Sequence, residues 1–497
     1  MTGERRMGLG ALTDAVAPER VIGIPVGDVR GLAYDSRRVE PGTLFFAVPG
    51  VHADGHDFVP EAAERGAIGV VVERELPDAS VPQLVVDRSR RALADAADAW
   101  FDRPSERLTV IGVTGTDGKS TVTALAAEML RASGRRPGQI GTVFTGIADE
   151  LAPNLDRSTT PEALELQALL ARMVEAGNDS VVMETTSHGL ALERTRNCRF
   201  AVGVVTNLTS EHLEFHGTLE AYRAAKARLV EEAPIAVLNA DDPSFAYFRD
   251  RARDRVITYG VEAEADLRAA DLRADSSGTT FRLTSPRWSG EVRVGLPGRF
   301  NVLNALAALG AIEAFDLDVG KAAGSLASTT GVPGRMARVE VGQPFTVIVD
   351  YAHTEDSLRK VLEILRPLTD GRLIVVFGSA GERDATKRAP MGRAAAELAD
   401  LVIVTDEDPR LEDPRAINEQ IADGARSAGA DDGSSLWVID DRREAIGHAI
   451  GLAREGDVVL LAGKGHEQSI IYGTVKRPWD DRTAALESLA ASGWTAR

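Results

Sequence analysis

The chain has 497 residues and one cysteine, Cys198, so it can form no internal disulfide and no cysteine-built zinc site. Such scarcity fits a reducing compartment. Arg196 and Arg199 flank Cys198 and offer one hint of reactivity, but a bystander thiol is the expected reading. No apolar run approaches the roughly 20 residues that span a bilayer. No apolar stretch follows Arg5 and Arg6 to make a signal peptide, so a cytoplasmic chain that avoids membranes is expected. Positive charge is also short: 57 Lys and Arg against 75 Asp and Glu give a net charge of −18. A nucleic-acid partner calls for the opposite sign, and the acidic excess reads as solubility. Internal repeats and low-complexity tracts are absent.

Apolar residues make up 44% of the chain, enough for ordinary buried cores, and the length suggests roughly three domains of about 150 residues. Residues 1–105 read as short strands and turns. Ile68 to Glu73 and Leu84 to Asp87 are β-branched runs, and 61–65 and 92–100 look helical. The turn formers of Phe101-Asp-Arg-Pro-Ser105 mark a linker. Residues 106–333 open on the apolar run Leu108 to Val113, a glycine-rich turn, and an alanine- and leucine-rich helix to about Ala132. Further strands are expected at 180–184, 200–205 and 235–238, alternating with helices, which argues for a parallel sheet covered by helices. Residues 334–497 repeat that alternation, with strands at 345–349, 373–377, 401–404 and 458–461. Each ends in polar residues, and ligands of open α/β sheets bind beyond the carboxyl ends of the strands.

The turn Gly115-Thr116-Asp117-Gly118-Lys119-Ser120-Thr121 has the chemistry of a phosphate loop. Backbone N–H groups and the following helix N-terminus make a nest for anionic oxygens. Lys119 can reach the β- and γ-phosphates, and Ser120 or Thr121 can offer a hydroxyl to Mg²⁺. The common pattern wants a glycine where Val113 stands, so the loop is a variant. Nearby, Glu184 ends a strand and His212 follows another, a pairing suited to divalent cations. Lys226 lies on a helix from 219 to 230; its ammonium is a poor metal neighbour, but a carbamate formed with CO₂ would be an anionic ligand. Four polar clusters follow strands of the last segment: Asp350-Tyr-Ala-His353, Gly378 to Arg388 with Arg383 and Lys387, Glu407-Asp408-Pro409-Arg410, and Gly463-Lys464-Gly465-His466-Glu467. Together they suit a polar zwitterionic substrate, with glycines that let backbone approach it.

Taken together these motifs resemble the Mur ligases of peptidoglycan synthesis, and most closely the branch that adds a diamino acid to UDP-MurNAc-L-Ala-D-Glu. The resemblance runs from Asp35-Ser36-Arg37 and Asp54-Gly55-His56, through the loop, which matches the family's own Gly-Thr-x-Gly-Lys form, to the last cluster. It implies three α/β domains: a small uridine-nucleotide domain (1–105), a central phosphate-loop ATPase domain with a parallel sheet (106–333), and a Rossmann-like amino-acid domain (334–497). It implies that Ser36, Thr159, Thr160, Thr186, Ser187 and Arg194 meet the UDP-MurNAc portion, with Leu192 where a contacting glutamine is usual. Asn301, Arg335 and Asp350 would serve ATP, and Ser120, Glu184, His212 and a carbamylated Lys226 would hold Mg²⁺. His353 would lie near nucleotide and acceptor, while Arg383, Glu407, Asp408, Arg410, Gly463 and Glu467 would receive the diamino acid.

The implied enzyme is a monomeric ATP-dependent ligase of cell-wall biogenesis that forms ADP and phosphate through an acyl phosphate. Its substrates would be UDP-MurNAc-dipeptide and a diamino acid, with no nucleic acid or membrane partner. Enzymes using meso-diaminopimelate commonly carry Asp-Asn-Pro-Arg where this chain has Glu407-Asp408-Pro409-Arg410. Arg410 suits a distal carboxylate, whereas the charge of Asp408 suits a side-chain ammonium, and the balance leans slightly to lysine or ornithine. Two rivals are a related ligase such as a folylpolyglutamate synthetase, disfavoured by Asp35-Ser36-Arg37, and a regulatory phosphate-loop protein without ligase chemistry.

Overall fold

The computed structural model describes residues 5–495 except 25, 51–52, 155–157, 210, 276 and 330. The chain divides into two compact units, one of Met1–Arg268, Thr284–Trp288 and Leu303–Ala322, the other of Ala269–Leu283, Ser289–Val302 and Ala323–Arg497. The α/β class read from the sequence is observed, as three main sheets flanked by helices. No helix among the described residues is long and apolar enough to cross a membrane.

The first unit holds two of these sheets. The N-terminal sheet runs in the order Arg20–Ile22, Gln83–Val85, Gly69–Val72, Thr43–Phe46, Gly31–Ala33 and is parallel except for its first pair. Adjacent residues Phe45 and Phe46 are both buried, one in each of the cores on the two faces. A sheet covered on both sides reads as a continuous apolar run, which is why these strands lack polar alternation.

Eight neighbouring strands of the central sheet run in the order Glu150–Pro153, Phe144–Ile147, Pro137–Ile140, Ser180–Glu184, Thr109–Thr114, Phe200–Val205, Ile235–Asn239, Arg255–Gly260. The last six strands are parallel. Glu184 pairs with Val113 and Val205 with Thr114, so three strands end side by side. Two glycines set how closely a helix can cover them. A Cβ at Gly112 would stand 2.7 Å from Leu229, and one at Gly203 3.0 Å from the same side chain. Helix Leu219–Glu232 therefore lies low on the sheet, with Leu229 buried and Lys226 one turn before it on the same face.

The sheet of the second unit has the order Ala337–Val339, Thr346–Val349, Val458–Leu461, Leu373–Phe377, Leu401–Val404, Leu436–Val438 and is parallel after its first pair. Helices Glu355–Leu365, Arg388–Leu398 and Pro414–Ser427 pack on one face through Leu362, Met391 and Ile421, and helices Arg442–Leu452 and Asp481–Ala491 on the other through Ile446 and Leu489. This is the doubly wound arrangement expected of a Rossmann-like domain. Two of those helices begin on a fully buried ion pair: Arg442 donates to Asp481 at 2.8 and 2.7 Å. Arg442 also donates to the carbonyls of Ala462, at 2.8 Å, and Asp406, at 3.3 Å, so it ties two strand ends to two helix starts. Replacing Arg442 or Asp481 alone by alanine strands a buried charge and is expected to cost about 3–5 kcal/mol in urea unfolding. The paired change Arg442→Met with Asp481→Leu is expected to cost much less; equal losses in single and paired variants would show that the stranded charge is not the cause.

Candidate functional site

Strand Thr109–Thr114 delivers its last residue to a loop that only glycine can shape. Gly115 has φ 145° and Gly118 φ 84°. A Cβ at Gly115 would overlap the Thr206 hydroxyl, at 1.8 Å, and one at Gly118 would stand 2.3 Å from the Asn304 amide oxygen. Hydrogen bonds fix the loop from the neighbouring strand: Thr206 Oγ1 donates to the Asp117 carbonyl at 2.6 Å, and the Asp117 N–H to Asn207 Oδ1 at 2.9 Å. Thr116 Oγ1 is hydrogen-bonded to the Tyr222 hydroxyl at 3.1 Å. Helix Lys119–Ala132 starts directly on the loop, with Ser120 and Thr121 in its first turn. Lys119 Nζ donates to the carbonyls of Gly115, at 2.9 Å, and Thr116, at 2.5 Å.

Lys226, 1% exposed, donates from Nζ to the same Gly115 carbonyl at 2.7 Å. Burial, and next the charge of Lys119, hold its amine well below the usual lysine range. Glu184 is also buried and accepts from the Thr142 N–H at 2.8 Å and the Thr142 hydroxyl at 3.0 Å. The threonines named from the sequence form one network on it. Thr142 and Thr159 hydroxyls meet at 2.9 Å, Thr160 Oγ1 donates to the Glu184 carbonyl at 2.9 Å, and the Thr186 N–H donates to Thr160 Oγ1 at 3.0 Å. Arg194 donates to Ser158 Oγ at 3.2 Å and the Thr160 carbonyl at 3.0 Å, and pairs with Glu162 at 2.7 Å. The Ser187 hydroxyl is buried without a hydrogen-bond partner.

His212 sits at φ 55°, 39% exposed, its ring edge-on to His188 at 4.8 Å. Among the described residues, no group of three or more His, Cys, Asp and Glu side chains is set to hold a metal. Ser36 lies in the N-terminal sheet's domain, where its hydroxyl donates to Glu61 at 2.8 Å. Cys198 is buried and its thiol is pushed up by that burial, in keeping with a bystander.

In the second unit Asp350 is buried, accepts the N–H groups of Met336 at 2.7 Å and Ala352 at 2.9 Å, and is raised by burial. The Arg335 guanidinium lies over the Tyr351 ring at 4.9 Å, and Asn301 donates to the Pro297 carbonyl at 2.8 Å. His353 Nδ1 donates to the Tyr351 carbonyl at 2.9 Å. A carbonyl can only accept, so Nε2 carries the lone pair, and burial lowers the ring's pKa and keeps it neutral. Lys464, 0% exposed, donates to Asp408 Oδ1 at 2.9 Å and to Glu467 Oε2 at 2.5 Å. Asp408 Oδ1 also accepts the Ile471 N–H at 2.9 Å. Glu407 is buried beside Gly463, its Oε2 has no hydrogen-bond partner, and burial pushes it up to about 7. Arg410 is half-buried with its Nε unpartnered, and Arg383 is exposed.

The sequence singles out the loop lysine, Glu184 and Lys226 but passes over Thr142, Thr206, Asn207 and Tyr222, which hold them. Thr206 and Asn207 carry a signal, since they follow an apolar strand as Glu184 does. Thr142 and Tyr222 carry none: a lone threonine after Gly141 and a tyrosine on a helix are ordinary. Asn304 stands one helical turn after Asn301, on the face that meets Gly118.

Three family models match the chain: "Mur ligase family, catalytic domain" over residues 28–101, "Mur ligase middle domain" over 113–312, and "Mur ligase, glutamate ligase domain" over 334–465. A relative from Roseiflexus sp. (strain RS-1), named UDP-N-acetylmuramyl-tripeptide synthetase, is 48% identical over 94% of this chain and 96% of its own. One from Geobacillus thermodenitrificans (strain NG80-2), named UDP-N-acetylmuramoyl-L-alanyl-D-glutamate--2,6-diaminopimelate ligase, is 44% identical over 92% and 94%. A solved structure of a UDP-N-acetylmuramoyl-L-alanyl-D-glutamate--2,6-diaminopimelate ligase is 34% identical, covers 95% of this chain and 98% of its own, and superposes with a TM-score of 0.71.

Glu407 carries a pH signature. Its folded pKa, about 7, lies above its ordinary value of 4.5, so its contribution to stability is full below 4.5 and is lost as pH rises through 7. A tenfold change in proton affinity on folding is worth about 1.4 kcal/mol, so the loss is large enough to measure. Urea unfolding of Glu407→Gln is expected to lose less stability between pH 5 and pH 8 than the wild type; parallel slopes would remove the assignment.

Proposed function

The chain belongs to the Mur ligase family, whose members are ATP-dependent ligases, and on that premise we propose that it joins a diamino acid to the D-Glu side chain of UDP-MurNAc-L-Ala-D-Glu. The observation that carries this reading is the assembly at three adjoining strand ends of the phosphate loop, the buried Glu184 and the buried Lys226 amine. Beside Glu184 the Thr159, Thr160, Thr186 and Arg194 network offers hydroxyls and a guanidinium, the groups a sugar peptide needs.

The D-Glu carboxylate attacks the γ-phosphorus of ATP and gives an acyl phosphate and ADP. Loop N–H groups, the helix N-terminus and Lys119 offset charge on the transferring group. Mg²⁺, when bound, neutralises phosphate oxygens. The residues that would hold it are the Ser120 hydroxyl, Glu184 and His212, a set poor in carboxylates for a hard cation. A carbamate on Lys226 would supply the missing anionic oxygens, and burial, by holding the amine well below the usual lysine range, favours the unprotonated form that reacts with CO₂. The amine of the diamino acid then attacks the acyl carbon and phosphate leaves. His353, neutral with its Nε2 lone pair free to accept, is suited to take the amine proton.

For the diamino acid, we favour one with a carboxylate at its far end, such as 2,6-diaminopimelate. The slight preference for lysine or ornithine rests on the charge of Asp408, and that charge is partly offset within the protein by Lys464, at 2.9 Å, which Asp408 shares with Glu467. Arg410 carries the guanidinium whose Nε has no partner, which suits a carboxylate. The name of the 44% identical relative agrees.

ADP release is expected to require UDP-MurNAc-dipeptide and diamino acid together, with diaminopimelate outcompeting lysine and ornithine. Turnover of ATP indifferent to both substrates would overturn the ligase reading. Lys226→Ala is expected to lose at least about 100-fold in turnover, the scale of one lost electrostatic group. Short carboxylic acids should restore part of it; full turnover of the variant without them would exclude the carbamate.

A further inference from the structure

Arg410 takes a backbone conformation that its side chain does not favour, φ 56°, in a loop with no glycine at that point. Something outside the loop must hold it there. The structure shows what does: the hairpin of strands Ser469–Tyr472 and Val475–Pro478. Arg410 N–H donates to the Ile471 carbonyl at 2.9 Å, and the Gly473 N–H donates to the Arg410 carbonyl at 2.7 Å. Both backbone groups of the strained residue are thus taken up by one hairpin. Two side-chain bonds fasten the same hairpin to the same loop. Ile471 N–H donates to Asp408 at 2.9 Å, and the Tyr472 hydroxyl donates to Asp406 at 3.0 Å.

The pairing register explains the choice of residue. Tyr472 faces Val475 across a two-residue turn, so Ile471 and Lys476 form the next pair, with no hydrogen bonds between them. The N–H and C=O of Ile471 therefore point away from the hairpin and are available to the loop. The second strand is exposed along its whole length, and a lone two-stranded hairpin is marginal in water. Hairpin and loop hold each other.

We propose that this hairpin, through Ile471 and Tyr472, is the positioning element that fixes Arg410 to receive the far carboxylate of the diamino acid. The proposal rests on the diaminopimelate reading given above. It makes Tyr472 and Ile471 positioning residues for acceptor selection, with no part in phosphoryl transfer.

The test is steady-state kinetics with ATP, UDP-MurNAc-dipeptide and either diaminopimelate or lysine, on wild type, Tyr472→Phe, Ile471→Pro and Arg410→Ala. Tyr472→Phe removes only the hydroxyl from a half-buried ring; Ile471→Pro removes the outward N–H. Both are expected to raise KM for diaminopimelate about tenfold, with kcat and the KM values for the other two substrates within twofold. Tyr472→Phe should add no further loss to Arg410→Ala, since both act through one contact. Thermal unfolding within a few degrees of wild type separates this from general damage, and Tyr472→Phe decides the matter if Ile471→Pro fails to fold. Unchanged KM for diaminopimelate in a wild type that prefers it, or equal losses for every substrate, overturns the positioning role alone. A wild type that prefers lysine overturns the acceptor reading, and the inference with it.

Discussion

The hydrogen bond from the Lys226 amine to the Gly115 carbonyl, 2.7 Å long and inside the protein, is the constraint around which the first unit is arranged. A lysine is left 1% exposed only if its surroundings are forced on it. Here the force is packing. Glycines at 112 and 203 remove the side chains that would hold helix Leu219–Glu232 off the sheet, Leu229 fills the space they leave, and Lys226 is carried one turn up to the strand end. There it finds the loop carbonyl and the face of Tyr222, whose ring centre lies 4.6 Å away. Desolvation then does what no neighbouring charge could do as strongly, and holds the amine well below the usual lysine range. The same glycine-lined approach that builds the core sets the chemistry of the lysine.

The second unit solves a different problem with the same means. Its strand ends gather Asp406, Glu407, Asp408, Arg410, Arg442, Lys464 and Asp481 within a short stretch of fold. A buried pair and a buried lysine shared by two carboxylates take up most of that charge: Arg442 with Asp481, and Lys464 with Asp408 and Glu467. Buried pairs are weak sources of stability, but breaking one leaves an unmatched charge, so they fix geometry firmly. They leave two groups over. Glu407 is buried and short of a partner, and the Arg410 Nε is buried and bare.

Much of this is legible in the sequence. The strands at 180–184, 200–205, 373–377, 401–404 and 458–461 match the observed bounds, because strands buried on both faces are short unbroken apolar runs. The edge elements are not legible. Glu150–Pro153 and Val475–Pro478 are exposed throughout, so nothing in their pattern separates them from loop. The loop, Glu184 and Lys226 declare themselves by residue type and position, whereas Thr142 and Tyr222 act by where their hydroxyls end up. The acceptor shows the limit most clearly. The charge of Asp408 can be weighed from sequence, but its pairing with Lys464, fifty-six residues on, is a fact of folding.

Lys119 and Lys226 share one acceptor, the Gly115 carbonyl, and the nearness of the first is the second cause of the depressed amine of the other. Two ammonium groups at one carbonyl repel, and in an interior of low polarity the repulsion is poorly screened. Lowering the proton affinity of Lys226 relieves the repulsion. Burial of Lys226 and the sharing of Gly115 are thus one arrangement, in which packing sets the amine beside a second cation and both lower its affinity for a proton.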